Sequence, residues 1–270
     1  MQALIARPYN PPADLIVPDR PARLTNVKLV CPSLMPKLGK AGSLQSRQAI
    51  VHNLVNTESW AIDLSWDIIA SFGKQEAMPR EFITDFVKVA QDEGRHFTLL
   101  AWLEELDSFY GALPAHDGLW DSATATSKDL LARLAIEHCV HEAIGLDVLP
   151  TTISRFRNGG DNETADLLEK VVYPEEITHC AAGVKWFHHL CLRSRNPELY
   201  GIKWATRDAT LAAEELEEVI RKFNAVVRTH FRGPLKPPFN EVARKAAGFD
   251  PQWYEPLAVK EAIPGSHREA

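Results

Sequence analysis

Apolar residues recur at helical spacing along four long stretches of the chain and one shorter stretch. They repeat three or four positions apart over about residues 43–71, 79–110, 128–157, 162–192 and 205–228, which is the period of an amphipathic helix. No stretch alternates apolar and polar residues as a half-buried strand would. The pattern predicts an all-α chain in which a fifth helix follows four long ones.

Turn-forming residues separate the predicted helices. Gly73 and Pro79 mark a short turn after the first helix, and the run Asn-Gly-Gly-Asp-Asn at residues 158–162 marks a turn after the third. Residues 111–127 contain a proline, two glycines and a Ser/Thr cluster, which predicts a connection. The chain is therefore expected to form two helical hairpins joined by that connection.

Both ends of the chain are too rich in proline for a long helix. The proline density of the first segment, residues 1–43, predicts an extended arm that packs on the domain. Residues 44–230 would form the helical bundle. Residues 231–270 combine prolines with aromatic residues and predict a segment that wraps the bundle. The prolines of the arm are Pro8, Pro11, Pro12, Pro18, Pro21, Pro32 and Pro36.

Composition narrows the function classes. A net charge of −6 argues against broad binding of nucleic acid. The four cysteines form no C-x-x-C pair, which favours a reduced compartment, with two disulfides as the alternative. The proline-rich, charged N-terminus does not resemble a secretory signal, and no uncharged apolar run approaches membrane-spanning length. We expect a cytoplasmic protein with no membrane partner.

One ligand pattern occurs twice in the chain. Each copy is a lone glutamate followed 34 or 35 positions later by Glu-x-x-His. Residues at i and i+3 share a helix face, so the glutamate and histidine of a pair can reach one metal ion. Roughly one Glu-x-x-His pair is expected by chance in such a chain, so the weight lies in the context. The six residues are Glu58, Glu93 and His96, then Glu142, Glu176 and His179.

The lone glutamates are level with their partners in the predicted hairpins. The midpoint between Glu58 and Glu93 falls in the first turn, and the midpoint between Glu142 and Glu176 falls on Gly159. All four glutamates also lie on the apolar faces of their helices. Burying an unpaired carboxylate costs several kcal/mol. Two divalent cations between the hairpins would remove that cost.

The two lone glutamates begin similar sequences. Residues 58–64 read Glu-Ser-Trp-Ala-Ile-Asp-Leu, and residues 142–148 read Glu-Ala-Ile-Gly-Leu-Asp-Val. The copies are offset by 84 positions at the glutamate and by 83 at the histidine. This spacing indicates a duplicated helical hairpin that builds one site with approximate two-fold symmetry.

These motifs resemble the ferritin-like superfamily of di-iron carboxylate proteins. Residues 92–96 match the Asp-Glu-x-Arg-His form of bacterial di-iron monooxygenases and ribonucleotide reductase small subunits, whereas the second copy has Glu175 and Thr178 instead of Asp and Arg. The whole chain is similar to a bacterial ferritin-like family of unknown function, DUF455, through residues 142–147 and 238–254. The resemblance implies a ferritin-like four-helix bundle with a fifth helix, an N-terminal arm and a wrapping tail.

The same resemblance implies a ligand set. Two divalent metal ions, iron with iron or manganese with iron, would be held without an organic cofactor. Asp92 and Glu175 would accept hydrogen bonds from the free ring N–H groups of the ligand histidines, with Arg95 beside them; ordinary surface charge is the alternative for the two carboxylates. The implied ligands are Glu58, Glu93, His96, Glu142, Glu176 and His179, with Glu93 and Glu176 bridging the ions.

Other residues near the motifs carry open alternatives. Asp63 and Asp147 lie about 140° around the helix from their glutamates, so they would either bond outside the ligands or form salt bridges between neighbouring helices. Pro174 is expected to kink the fourth helix beside the site. For His52, His138 and His141, the alternatives are an extra metal ligand and an ordinary packed or surface histidine. For Cys139 and Cys180, the alternatives are lining the cavity and packing in the core.

Such a site usually activates dioxygen, so the resemblance implies an oxidoreductase of the hydroxylase, monooxygenase or desaturase type. Its partners would be a small organic substrate, O2 and an external electron donor, and a homodimer is left open. One alternative is a non-catalytic metal-binding or storage protein. Another is a tRNA-modifying hydroxylase that would use the basic residues Arg193, Arg195, Lys203, Arg207, Arg228, Arg232 and Lys236.

Overall fold

The computed structural model describes residues 16–23, 26–101, 108–195 and 213–258, and all regular structure within them is helical. None of the helices in this part of the chain is both long and apolar enough to cross a membrane. In chain order they are α1 (Leu44–Phe72), α2 (Arg80–Ala101), α3 (Gly118–Ala125), α4 (Leu130–Ala135), π1 (Ile136–His141), α5 (Glu142–Asn158), α6 (Asn162–Leu167), π2 (Leu168–Val172), α7 (Tyr173–Arg195), α8 (Ala213–His230), α9 (Glu241–Ala246) and α10 (Pro251–Tyr254), with short 3-10 turns at Pro32–Leu34 and Glu255–Leu257.

The first hairpin consists of α1 and α2. Ser43 caps α1 by accepting a hydrogen bond from the Ser46 N–H at 3.2 Å. At the other end the Met78 N–H donates to the Gly73 carbonyl at 2.9 Å, which closes the turn before Pro79. The two helices pack along each other. Glu58 and Glu93 therefore lie at similar distances from this turn.

The second hairpin contains two helical stretches that each change pitch. Residues 130–158 run through α4, π1 and α5, and residues 162–195 run through α6, π2 and α7. Gly160 has a φ of +81°, a conformation that glycine adopts without strain. Asp161 then caps α6 through the Thr164 N–H at 3.0 Å. The helical spans match the predicted third and fourth helices closely, but the π segments are not part of that prediction.

The main core lies where the two hairpins meet the C-terminal part of the chain. Phe82 and Phe86 of α2 pack with Trp186 of α7, and Phe187 packs edge-to-face against Phe223 of α8. A second core, built around Val55 and Phe156 among others, fills the end of the bundle near the Gly159 turn. These contacts fix the hairpins relative to each other.

The sequence predictions differ from the structure at three places. Helix α2 is described as far as Ala101, and the described residues 108–110 are not helical, although the sequence predicts a helix to Tyr110. The predicted connection contains the eight-residue helix α3, because Trp120 buries itself by stacking on Trp60 at 5.7 Å. The predicted start of the fifth helix at residue 205 lies outside the described residues, where α8 is seen from Ala213.

The N-terminal arm crosses the first hairpin. Val30 N–H donates to the Ala115 carbonyl at 2.8 Å, and Ala115 N–H donates to the Lys28 carbonyl at 3.0 Å. Arg23 lies over the Trp60 ring at 3.8 Å and pairs with Asp63. These contacts hold the described part of the arm on α1 and on the connection. Pro8, Pro11 and Pro12 lie outside the described residues.

The C-terminal segment packs on the second hairpin and α8. Phe249, Trp253 and Tyr254 are buried in the main core. Leu235 N–H donates to the Leu257 carbonyl at 2.9 Å, which closes the segment on itself. The segment therefore contributes to the hydrophobic core of the domain as well as covering it.

Candidate metal centre

The six predicted ligand residues converge between the two hairpins. Glu58 lies in the middle of α1, Glu93 and His96 occupy one turn of α2, and Glu176 and His179 occupy one turn of α7. Glu142 is the first residue of α5, directly after π1. Five of the six are buried, with Glu93 1% and His96 0% exposed, and Glu142 is partly exposed. The cluster is therefore largely shielded from water.

Ligand atoms fall into two overlapping groups. Within each group one ligand atom per residue lies within 4.8 Å of all the others. Both groups share two glutamates, as expected when two carboxylates lie between two ions. The first group is Glu58, Glu93, His96 and Glu176, and the second is Glu93, Glu142, Glu176 and His179.

The Nδ1 atom of each histidine faces the carboxylates. His96 Nδ1 lies 3.4 Å from Glu58, 3.5 Å from Glu93 and 3.5 Å from Glu176. His179 Nδ1 lies 3.0 Å from Glu93 and 3.7 Å from Glu176. Each nitrogen is thus near several oxygens at once, as when donor atoms surround a common centre.

Several atoms of this cluster lack a hydrogen bond despite their burial. Nδ1 of His96, Nδ1 of His179 and Oε2 of Glu93 have no partner with hydrogen-bond geometry. Even the 3.0 Å approach between His179 and Glu93 does not satisfy that geometry. Buried polar atoms are nearly always paired. Atoms that share one small space without pairing fit a cation that they would coordinate together.

The carboxylates differ in how firmly they hold protons. Burial, with the nearby charge of Glu93, raises the pKa of Glu58 well above its usual range. Burial, with Glu176 and Glu93, does the same to the pKa of Glu142. Burial would also raise the pKa of Glu93, but the histidines and Glu58 outweigh it and lower that pKa. Without a metal, burial and neighbouring charge thus favour the protonated form of Glu58 and Glu142 and the ionised form of Glu93.

The histidines carry the balancing charge. Burial disfavours the imidazolium of His96, but the nearby carboxylates of Glu176, Glu58 and Glu93 outweigh burial and raise its pKa to about 12. The pKa of His179 also rises well above its usual value, because Glu93 and Asp92 outweigh the effect of burial. Protons on the protein groups thus neutralise the cluster, and metal ions would have to displace them.

Each histidine is also contacted from behind by the opposite helix. His96 Nε2 lies 2.8 Å from Glu175 of α7, and His179 Nε2 lies 3.5 Å from Asp92 of α2. Arg95 pairs with Glu175 and lies 3.4 Å from Asp92. His179 and Lys88 outweigh the effect of burial and lower the pKa of Asp92 to about 2. Glu175 is thus within hydrogen-bond distance of the His96 ring across the hairpins, whereas Asp92 approaches the His179 ring without a hydrogen bond.

The second hairpin has π segments immediately before its ligands. π1 ends at His141, one residue before Glu142, and π2 ends two residues before Pro174. Such segments are rare and occur frequently at functional sites. Pro174 follows π2 inside the continuous helical stretch of residues 162–195, where it cannot donate a backbone hydrogen bond. The predicted irregularity beside Pro174 takes the form of this change in helical pitch.

Two of the expected outer residues do not contact the cluster. Asp63 pairs with Arg23 of the arm, and Asp147 accepts from Arg244 at 2.9 and 2.5 Å. Because each aspartate lies on another face of its helix from the ligand glutamate, an arginine from a terminal segment reaches it first. Of the two alternatives for these aspartates, the structure shows salt bridges, but with arginines of the terminal segments, so the aspartates anchor those segments.

The remaining nearby residues pack outside the two ligand groups. His52 Nε2 accepts from the Gly111 N–H at 3.0 Å, and His141 Nε2 lies 3.3 Å from the Ser122 hydroxyl. Burial lowers the pKa of His138 to about 3, so its ring is neutral. Cys139 and Cys180 are fully buried in the main core, and all four cysteines are free thiols.

One buried carboxylate escaped the sequence analysis. Glu137 of π1 is 2% exposed, and neither carboxylate oxygen has a hydrogen bond. Burial raises its pKa to about 7. The nearest histidine nitrogen is that of His141, 3.8 Å away. Glu137 lies five residues before Glu142 and belongs to no sequence motif, so only its place in the π segment identifies it.

Three cavities of the described part of the chain lie away from the cluster. One of about 230 Å³ lies under the arm, beside Arg23, Asn56 and Tyr110. A larger groove of about 1470 Å³ runs beside Trp66 and Arg133. A third, of about 310 Å³, lies beside Phe231. None of these three cavities is lined by any of the six ligand residues.

The proposed basic face is only partly visible. Arg193 is buried and bonds the Glu76 carbonyl at 2.7 Å, so it is not available to a nucleic acid. Arg228 bonds the Pro256 carbonyl at 3.1 Å. Lys203 and Arg207 lie outside the described residues. Two of the predicted members thus have structural roles.

Comparisons with known proteins give a family but no activity. The model of a family described as "Protein of unknown function (DUF455)" matches residues 4–255. A protein of Haemophilus influenzae described as uncharacterized is 31% identical over 226 residues, which span 82% of this chain and 70% of that protein. No solved structure matches the chain.

Proposed function

The chain belongs to the DUF455 family of proteins of unknown function, and we propose that it binds two divalent metal ions within a ferritin-like four-helix bundle. The observation that carries this proposal is the pair of overlapping ligand groups that share Glu93 and Glu176. Two hairpins, each supplying a lone glutamate and a Glu-x-x-His pair, are the arrangement of such bundles.

Charge supports two ions rather than one. The cluster offers four carboxylates and two neutral imidazoles once its protons leave, for a ligand charge of −4. Two divalent cations neutralise that charge within a buried space, whereas one leaves two uncompensated carboxylates, each costing several kcal/mol. Glu58 and His96 would complete one site, and Glu142 and His179 the other. Carboxylate and imidazole donors suit iron and manganese.

Within this proposal the protein is an oxidoreductase acting on a small organic substrate. Two iron ions, or manganese with iron, would supply activation of O2 using electrons from an external donor. The chain's own residues exclude water from Glu93 and His96, which are 1% and 0% exposed. Glu175 lies 2.8 Å from His96 Nε2 and Asp92 lies 3.5 Å from His179 Nε2, while Nδ1 of each ring faces the carboxylates of the cluster.

The test is metal content and assembly size together. Purified protein would be loaded anaerobically with Fe²⁺ or Mn²⁺, freed of excess metal, and measured by elemental analysis and by light scattering. We expect two ions per chain in a monomer or dimer, and loss of stoichiometric binding in Glu58→Ala and His179→Ala with helix content retained. Unchanged binding in both variants would show that the ligand assignment is wrong.

The same preparation separates the other functions. Many iron ions per chain in a large cage would favour storage. RNA that purifies with the protein, or salt-sensitive tRNA binding, would favour a tRNA-modifying hydroxylase. O2 consumption by the reduced, metal-loaded protein, faster than that of Glu93→Ala, would favour the oxidoreductase.

A further inference from the structure

A proline inside α5 leaves a carbonyl without its helical partner. Pro150 has no N–H, so the Leu146 carbonyl one turn earlier receives no bond from within the helix. The side chain of Asn240 supplies the missing donor, with Nδ2 3.0 Å from that carbonyl. A residue of the C-terminal segment thus completes the backbone hydrogen bonding of α5 next to Glu142.

Asn240 also bonds the other helix of the second hairpin. The same Nδ2 group donates to the Tyr173 hydroxyl at 2.7 Å, at the start of α7. The Asn240 backbone N–H donates to Asp147 of α5 at 2.7 Å. Its Oδ1 accepts from the Ala243 N–H at 3.2 Å and caps α9. Three of these bonds make Asn240 a bridge between α5 and α7.

Arg244, one turn along α9, holds this bridge in place. It is 1% exposed and donates to both oxygens of Asp147, at 2.9 and 2.5 Å. Its guanidinium carbon lies 4.4 Å from the ring centroid of Tyr254 and 4.8 Å from that of Phe239. A two-point ion pair stacked on aromatic rings is a rigid contact. Asn240 therefore has little freedom to follow a movement of either helix.

The bridge lies one turn from two predicted ligands. Leu146 follows Glu142 by four residues, and Tyr173 precedes Glu176 by three. At 1.5 Å per residue these steps are about 6 and 4.5 Å along the helices. Both lead toward the Gly159 turn, so the bridge sits level across the hairpin. Asn240 therefore links α5 and α7 close to Glu142 and Glu176, and this link limits how far the two glutamates can separate.

We infer that Asn240 is a positioning residue of the metal centre, which fixes Glu142, a glutamate of the second ligand group alone, in its position relative to α7. The inference rests on the proposed function. The C-terminal segment would thus support the ion held by Glu142 and His179 rather than the ion held by Glu58 and His96. In the first hairpin the aspartate at the matching position, Asp63, is held instead by Arg23 of the arm.

Three variants isolate the bridge. Asn240→Ala removes all side-chain bonds, whereas Tyr173→Phe removes only the link to α7 and leaves the α5 carbonyl satisfied. Pro150→Ala restores an N–H to α5, so Asn240→Ala with Pro150→Ala regains the backbone bond without the link to α7. Arg23→Gln breaks the equivalent anchor of the first hairpin and serves as the matched control.

The measurement is a Mn²⁺ titration of the full chain, with free ion followed by electron paramagnetic resonance and unfolding followed by circular dichroism. We expect Asn240→Ala and Tyr173→Phe to weaken one of two binding constants about tenfold, the lower end for residues that orient ligands. The other constant should change less than about twofold. Adding Pro150→Ala to Asn240→Ala should recover thermal stability but not the weakened constant.

Different failures have different meanings. Two unchanged constants in Asn240→Ala and Tyr173→Phe would overturn the positioning role while leaving the two-metal proposal intact. Equal weakening of both constants, or full recovery of binding by Pro150→Ala, would show that Asn240 only stabilises the fold. Weakening of the same constant by Arg23→Gln would contradict the assignment to one half. A wild-type chain that binds no Mn²⁺ would overturn the proposed function and this inference with it.

Discussion

Gly183 of α7 provides a sharp test of how the second hairpin is packed. A Cβ atom at this position would lie 1.9 Å from the carbonyl oxygen of His138 and 3.1 Å from the Cys139 sulfur. Both residues belong to π1, so α7 approaches the π segment as closely as a glycine allows. Gly183 follows His179 by one turn, and His138 precedes Glu142 by one turn. The close approach therefore supports the second ligand group.

The cost of Gly183→Ala follows from this distance. Carbon and carbonyl oxygen approach to about 3.3 Å in favourable contacts, so α7 and π1 would have to separate by roughly 1.4 Å. Forcing one extra carbon into a packed core costs about 3 kcal/mol when backbone must move. For a chain of this size that lowers the melting temperature by about 6–12 °C. Separation should also weaken metal binding, because Glu142 and His179 lie on the two displaced segments.

Two other helical glycines serve as matched controls. A Cβ at Gly94 or Gly145 would meet no atom within 4 Å. Alanine there should raise stability by about 0.5–1 kcal/mol, because glycine is less favourable inside a helix. Melting curves of the three variants and a Mn²⁺ titration of each provide the comparison. If Gly183→Ala melted like Gly145→Ala and bound metal like the wild type, the inferred packing of α7 on π1 would be refuted.

Three further predictions address the cluster and its anchors. Metal binding should release protons, because the pKa values of Glu58, Glu142, His96 and His179 are raised and each ligand must lose its proton to bind metal. The affinity should therefore fall as the pH falls. Calorimetry in buffers of different ionisation enthalpy would contradict this if it detected no proton release. Glu175→Gln replaces the carboxylate acceptor of His96 with an amide and should weaken metal binding about 10–100-fold in a Mn²⁺ titration. An unchanged affinity would show that Glu175 is only a surface partner of Arg95. Arg244→Met leaves Asp147 without its ion-pair partner in a largely buried site and should lower the free energy of unfolding by about 3–5 kcal/mol. The double variant Arg244→Met with Asp147→Leu should lose clearly less stability in chemical denaturation. Equal losses of stability in the two variants would refute the pairing.

The placement of the ligands could be predicted because it depends on local sequence. Helical period puts the glutamates on apolar faces, and two short turns with glycine fix the register of the hairpins. Glu58 and Glu93 therefore lie level whatever the rest of the chain does. The cross-helix contacts of Asp92 and Glu175 follow from the same register, since each is the neighbour of a ligand glutamate.

Features that depend on distant parts of the chain could not be predicted. The partners of Asp63 and Asp147 are 40 and 97 residues away, and no periodicity links them. Helix α3 forms because Trp120 stacks on Trp60, although the Ser/Thr-rich sequence of this helix favours a connection. The π segments change the helical pitch by only a few residues, so the apolar pattern scarcely differs from that of an α-helix.

The most direct test of the account is the number of ions lost when a shared ligand is removed. Glu93 and Glu176 belong to both ligand groups, whereas Glu58 belongs to one. Elemental analysis after anaerobic Fe²⁺ loading should give two ions per chain for the wild type and for the control Glu217→Ala on the exposed face of α8. Glu93→Ala should bind neither ion stoichiometrically. Two ions retained by Glu93→Ala would contradict a shared two-metal centre.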